Sequence, residues 1–331
     1  MNIKIRLFTI FFLLALTATG SLHAQETVQR EHDVEVRVFL IDLEGVDTVT
    51  QSFTANLTMV LRWQDPGLVH EGPASINMSL DDIWYPRIQI LNQQKLTTTL
   101  PRTAEVFPDG EVVQRQRFWG NFSQPLDLQT FPFDRQSLKV TLANVGFGGE
   151  VVNLIPSPNS GISENMTMPD WTVTGWDFVA TDFAFEDESS RIGGVVFSLD
   201  VKREVGYFKY KVILPLVLIV MMSWLVFWID PALAASQISV SVTAMLTMIA
   251  YRFALAGLIP RLAFLTSLDY FVLVSTLAVF IGMIEVLYTA HLATSDQLKK
   301  ARLIDRHARW VVPLSYTGLA ADTLYFRVLF S

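Results

Sequence analysis

A β-sandwich followed by a bundle of four membrane-spanning helices is the architecture this sequence predicts, and three observations carry it. The 331-residue chain is 51% hydrophobic with a mean hydropathy of +0.35, too apolar for an ordinary soluble protein of its length. Its charge divides in two: residues 25–206 hold 26 acidic against 13 basic side chains, a net of −13, whereas 207–331 hold 6 against 10, a net of +4. At the same boundary, short alternating runs give way to long apolar ones.

Residues 1–24 read as a secretory signal peptide: a basic start (Lys4, Arg6), the apolar core LFTIFFLLAL and a small-residue end at Ala24. That core of about ten residues is too short to span, since a bilayer needs roughly 20. The chain has no cysteine, so the exported part is held by packing and hydrogen bonds alone.

From 30 to 205 the pattern is VEVRVFLI, FTANLTMVLRW, QSLKVTL and GGVVFSLDVK, broken by turn clusters such as FPDGE, PSPNSG and RIGG. That spacing predicts an outer β-sandwich of roughly ten strands, with a single helical turn near SLDDIW. Its domain bounds are 25–206, and the helical domain follows over 207–331. Nothing in the sandwich assembles a catalytic centre. The five histidines, one of them in the signal peptide, sit at no metal-ligand spacing, and no nucleophile elbow or phosphate-cradling glycine loop occurs. Asp81-Asp82 and Glu186-Asp187-Glu188 read as solvated loop charges. No enzyme, cofactor, bound metal or nucleic-acid partner is expected.

Apolar runs place four spans at about 207–229, 232–257, 262–292 and 307–330. The third link, 291–309, carries Lys299, Lys300, Arg302, Arg306 and Arg309 against two acids. Positive charge stays inside, so the outer domain and the C-terminus fall on the same outer side, in agreement with the signal peptide. Asp269, Glu285 and Asp322 interrupt the spans and are functional suspects by position, weighed first as structural.

On the second span, a helix at 100° per residue with Ser239 at zero puts Thr243 at about +40°, Leu246 at −20°, Ala250 at +20°, Phe253 at −40° and Gly257 at 0°. Ser236 and Thr247 flank that stripe, and Ser241 points away. Two readings stay open on the helix alone: small and hydroxylated residues that let helices pack closely, or one wet face with hydroxyls at its inner half and apolar rings above.

Several stretches in order resemble one family. FPFDRQSL (131–138) is similar to the Pro-loop of pentameric ligand-gated ion channels, the Cys-loop receptor superfamily, and WYPRIQILN (84–92) resembles its Trp-x-Pro signature. FPDGEVV, DVKREVGY, ILPLVLI with Pro215, and LIPRL follow in the family's order, so the resemblance covers essentially all of 30–330. It implies a homopentamer, each chain meeting four identical subunits in a lipid bilayer, with Ser239, Thr243, Leu246, Ala250, Phe253 and Gly257 lining the pore and Leu246 and Phe253 as its gate. It also implies coupling through the first hairpin loop (42–47), Pro132, Phe133, Asp134, Arg203, Pro260 and Arg261, with Asp134–Arg203 an ion pair that either couples the domains or merely holds them. The agonist box would contain Phe185, Gln89, Val145 and Ile192.

The departures matter. Gln124 and Leu138 stand near the places of the bracketing cysteines, and the inner link is short; both features resemble bacterial members, implying an inner membrane with a periplasmic outer domain. The box is poor in aromatics, so a small molecule and the proton both remain agonist candidates. No charged ring opens the second span: Asp230 comes several residues early and Gln237 stands near the place of an arginine in anion-selective relatives. The net −13 outside favours monovalent cations as the permeant ions. The alternative of another class is a four-span sensor whose outer domain binds a solute and signals through a partner.

Overall fold

The structure is a computed structural model, and it describes residues 31–146, 151–168, 170–184, 191–257 and 262–326. The predicted signal peptide, 1–24, lies outside them. Twelve strands occur among the described residues: β1 (Glu31–Asp47), β2 (Ser52–Gln64), β3 (Ile76–Ser79), β4 (Ile88–Ile90), β5 (Gln93–Thr98), β6 (Thr103–Val106), β7 (Glu111–Ser123), β8 (Arg135–Asn144), β9 (Val151–Pro156), β10 (Gly161–Ile162), β11 (Trp171–Ala184) and β12 (Arg191–Arg203). One sheet runs β10-β1-β2-β7-β6-β3, with β9 also on β1 and β5 also on β7; the other runs β11-β12-β8-β4. This is the predicted sandwich. The Ser79–Asp82 stretch makes one turn, closed by the Asp82 N–H on the Ser79 carbonyl at 3.1 Å.

Strand periodicity builds the core. Phe53, Ala55, Leu57, Met59, Leu61 and Trp63 alternate inward along β2, and Leu138, Val140 and Leu142 on β8 with Val195, Phe197, Leu199 and Val201 on β12 face them from the second sheet. Trp84 is half-buried against this core, stacked on His32 at 4.0 Å and edge-on to Trp63 at 6.0 Å.

Four helices follow: α1 (Gly206–Trp228), α2 (Ala234–Leu255, entered through a turn at Pro231–Leu233), α3 (Ser267–Thr294) and α4 (Leu298–Ala321). Three of them are long and apolar enough to cross a membrane by length and composition. Helix ends depart from the predicted span ends. α3 starts at Ser267 rather than 262, because Thr266 and Asp269 form a reciprocal capping box there. α4 starts at Leu298 rather than 307, so the basic link is largely helical, with only residues 295–297 between α3 and α4. Apolarity marks where lipid ends; Leu, Lys, Ala and Arg are good helix formers and carry the helix beyond it.

Candidate pore face and domain junction

α2 packs on its bundle through Gln237, Ser241, Ala244, Met248 and Leu255, which fall within about 40° of the direction opposite Ser239 on a helical wheel. Ser239, Thr243, Leu246, Ala250 and Phe253 are all exposed in the protomer, Leu246 at 61% and Phe253 at 77%. Ser236 is exposed, Thr247 half-buried and Ser241 buried. Gly257 is exposed but lies in the turn after α2, not on it. Glycine is a poor helix former, and the Pro at 260 disfavours helix in the residue before it, so the wheel stops short of that position. The Thr243 hydroxyl donates to the Ser239 carbonyl at 2.8 Å, and Thr247 to Thr243 at 2.8 Å. Their protons are thereby spent on the helix backbone, and the hydroxyl oxygens keep lone pairs free.

Before α2, Asp230 caps the entering turn through the Ala232 N–H at 3.0 Å and pairs with Arg302 at 2.9 Å. Those two donors, the amide first, hold its carboxyl below the usual aspartate range. The acid nearest the start of α2 is therefore ionised and already paired with a cation.

At the other end, the segment between β7 and β8 joins sandwich to helices. Pro132 and Asp134 are buried and Phe133 half-buried. Arg203, on the last strand before α1, donates to Asp134 from Nε at 2.7 Å and from Nη2 at 3.1 Å; Asp134 is 0% exposed and Arg203 7%. Gln136 adds a third donor to Asp134 at 2.9 Å, and the guanidinium lies 4.2 Å from the Trp171 ring centre and 4.9 Å from that of Phe131. The same loop reaches α3. The Ser267 N–H donates to the Gln129 carbonyl at 3.0 Å and the Leu268 N–H to that of Phe131 at 3.1 Å, so two of the four donors a helix leaves unpaired at its start are satisfied from the sandwich. Pro260 and Arg261, the remaining predicted junction residues, lie outside the described residues.

The sequence profile of the neurotransmitter-gated ion-channel ligand binding domain matches residues 22–205, and that of the neurotransmitter-gated ion-channel transmembrane region matches 212–309. The chain belongs to the neurotransmitter-gated ion-channel family. It is 24% identical over 301 residues to a human gamma-aminobutyric acid receptor subunit rho-3, covering 86% of this chain and 64% of that one. It is 23% identical over 290 residues to a mouse subunit theta, covering 84% and 45%. A chicken subunit beta-4 is 23% identical over 264 residues, covering 76% and 54%. The chain thus spans less than two thirds of the length of these curated relatives. The two profiles stand in the order ligand-binding domain, then transmembrane region, and meet where the sandwich gives way to the helices.

A glutamine clasp that the sequence did not reveal holds the β7–β8 loop together. Gln124 donates to the Ser137 carbonyl at 2.6 Å and accepts from the Lys139 N–H at 2.7 Å, straddling Leu138. Gln51 accepts from the Leu126 N–H at 2.7 Å, tying the β1–β2 turn to the same loop, and Gln136 grips Asp127 through both its N–H and its carbonyl, at 3.1 and 2.6 Å. Of the predicted agonist positions, β4–β8 pairing sets Gln89 opposite Ala143, two residues before Val145, and places Ile192 on β12 two residues before the Gly194–Ala143 pair. One end of the four-stranded sheet therefore gathers Gln89, Val145 and Ile192; Phe185 lies outside the described residues. A pocket of about 220 Å³, lined by Asn153, Thr181, Asp182, Gly193 and Gly194, opens near that end.

Proposed function

We propose that five copies of this chain form a ligand- or proton-gated, cation-selective channel in a bacterial inner membrane, with four spans per subunit and the sandwich and C-terminus on the periplasmic side. The observation that carries the pore assignment is the split personality of α2. Its buried face meets α1 and α3, while the opposite stripe carries exposed hydroxyls that hydrocarbon would disfavour. Arranged about an axis, that stripe forms hydroxyl rings at Ser239 and Thr243 under apolar rings at Leu246 and Phe253 that close by dewetting. The lone pairs left free on Thr243 suit a cation, and so does the net −13 of residues 25–206. The junction ion pair, the Gln129 and Phe131 carbonyls and the predicted Pro260–Arg261 link carry movement from sandwich to pore. Gln89, Val145, Ile192 and Phe185 belong to the agonist cleft between neighbouring subunits.

The test is to reconstitute the protein in bilayers and record current while scanning outer pH and small amines. Leu246→Ala or Phe253→Ala is expected to open more easily or leak, and reversal potentials in asymmetric salt should report cations. Silence under every condition, in these variants too, would refute the channel reading; anion reversal potentials would refute the selectivity.

A further inference from the structure

Behind the first turn of α2, away from the proposed pore, four oxygens sit together without donors. Glu285 on α3 and Asp305 on α4 bring their carboxyls against each other, and Gln237 on α2 donates to Asp305 Oδ2 at 3.0 Å and to the Ile229 carbonyl at 2.9 Å. Both Glu285 carboxylate oxygens, Asp305 Oδ1 and Gln237 Oε1 are sealed from the surface, with no hydrogen-bond partner among the described residues. Gln237 and Asp305 are themselves 0% exposed.

The surrounding groups do not supply what is missing. α1 and the turn after it contribute the Phe227 and Ile229 carbonyls and Asp230, and Asp230 is already engaged by Arg302. From α2 comes the Gln237 amide, with the Ser241 hydroxyl buried one turn further along the same face. On α3 the Thr289 hydroxyl lies beside Asp305 with the Glu285 and Val286 backbone carbonyls as competing acceptors at 3.1 Å, so its single proton is shared among three acceptors. On α4, Arg309 attracts Asp305 electrostatically, yet its Nε donates to the Phe227 carbonyl at 2.7 Å and its guanidinium lies over Trp228. His291 and His307 are exposed. Two dry carboxylates in contact cannot both stay ionised without a donor between them.

We infer that Glu285 and Asp305 hold one proton between them, Glu285 donating to Asp305 Oδ1, and that this proton fastens the start of α2 to the helices behind it through Gln237. On losing it, the two carboxylates repel, Asp305 shifts, and Gln237 loses its hold. Such a latch makes the α2 start sensitive to pH on the inner side. That sidedness rests on the channel topology proposed above, whereas the proton does not.

The test has two arms on the full-length protein in lipid. Infrared spectroscopy at neutral pH should show a protonated-carboxyl band that Glu285→Gln removes, since the Gln amide can serve Asp305 as the donor. Hydrogen exchange of residues 234–240 should accelerate on alkalinisation beyond the intrinsic chemical rate in the wild type and not in Glu285→Gln; should that variant fail to assemble, Asp305→Asn is read the same way. In inside-out patches, half-activation should move by at least about threefold per inner pH unit across the transition, where proton occupancy changes by up to about tenfold, and should lose that dependence in Glu285→Gln. Absence of the band, or a wild-type α2 start indifferent to pH, overturns the inference, as does full pH dependence retained in Glu285→Gln. A band and the exchange response without any current would uphold the latch and refute the channel.

Discussion

Replacing Asp134 with Asn tests whether the junction ion pair is as dry as its geometry implies. Three N–H groups converge on its carboxylate: Arg203 Nε at 2.7 Å, Arg203 Nη2 at 3.1 Å and Gln136 Nε2 at 2.9 Å. Asparagine keeps the shape but replaces one accepting oxygen with a donor, so at least one of those groups meets another N–H. A hydrogen bond to a charged group is worth about 1.5–3 kcal/mol. Stranding a guanidinium that is only 7% exposed raises the total to the range of about 3–5 kcal/mol measured when one partner of a buried pair is removed. Removing both charges, as in Asp134→Leu with Arg203→Met, abolishes the desolvation cost along with the attraction, and stability should return to within about 2 kcal/mol of wild type. The assay is urea unfolding of the detergent-solubilised protein followed by tryptophan fluorescence, to which Trp171, under the guanidinium, contributes. A single variant within about 1 kcal/mol of wild type would mean that Arg203 reaches water and that the reasoning is wrong. A double variant worse than the single would show that the pair stabilises beyond its desolvation cost.

Other perturbations follow from the same geometry. Gly120→Ala should cost about 3 kcal/mol, the upper end for overpacking, because Gly120 has φ +155° and a Cβ there would meet the Lys95 carbonyl oxygen at 2.0 Å; wild-type thermal stability in this variant would contradict the β5–β7 register. Gln124→Ala removes two hydrogen bonds across the loop and should destabilise by about 2 kcal/mol at about 1 kcal/mol each, read as loosened proteolytic protection of residues 124–138. The Asp47 carboxylate is held below its usual range, chiefly by the Thr50 hydroxyl and also by the Thr50 and Val49 N–H groups. A depressed folded-state value contributes stability above the ordinary aspartate range near about pH 4, lost as pH falls through the lower folded value. Asp47→Asn should therefore flatten the acid side of the stability–pH curve below about pH 4 and leave its alkaline side unchanged, as checked by unfolding across that range.

Alternation along FTANLTMVLRW is enough to place Phe53 through Trp63 in the core, because a strand buried on one face writes its orientation into every second residue. The same holds for α2, whose exposed and buried stripes separate on a wheel drawn from sequence. Helix limits were less legible: hydropathy locates lipid, whereas the start of α3 is set by the Thr266–Asp269 cap, a signal present in TSLD but hidden inside an apolar run. That cap also gives Asp269 a structural task. The glutamine clasps were illegible in kind, since Gln51, Gln124 and Gln136 look like ordinary polar loop residues until the fold brings backbone amides to them. Gln237, Glu285 and Asp305 sit on three different helices, and no local periodicity links positions that only tertiary packing brings together.

The Ser267 and Leu268 N–H groups meet the Gln129 and Phe131 carbonyls backbone to backbone, and the one side-chain addition is a longer bond from the Ser267 hydroxyl to the Gln129 carbonyl at 3.3 Å. A joint of that kind asks little of side-chain identity and much of chain path. Transplanting a foreign sandwich onto these helices, with the splice near residue 205, would succeed or fail on whether the incoming loop delivers two carbonyls at the right height. Two divergent relatives could then exchange halves without sharing a single junction residue, provided their loops follow the same curve. A donor whose loop is one residue too short would leave two buried amides unpaired, however well its surface charges matched.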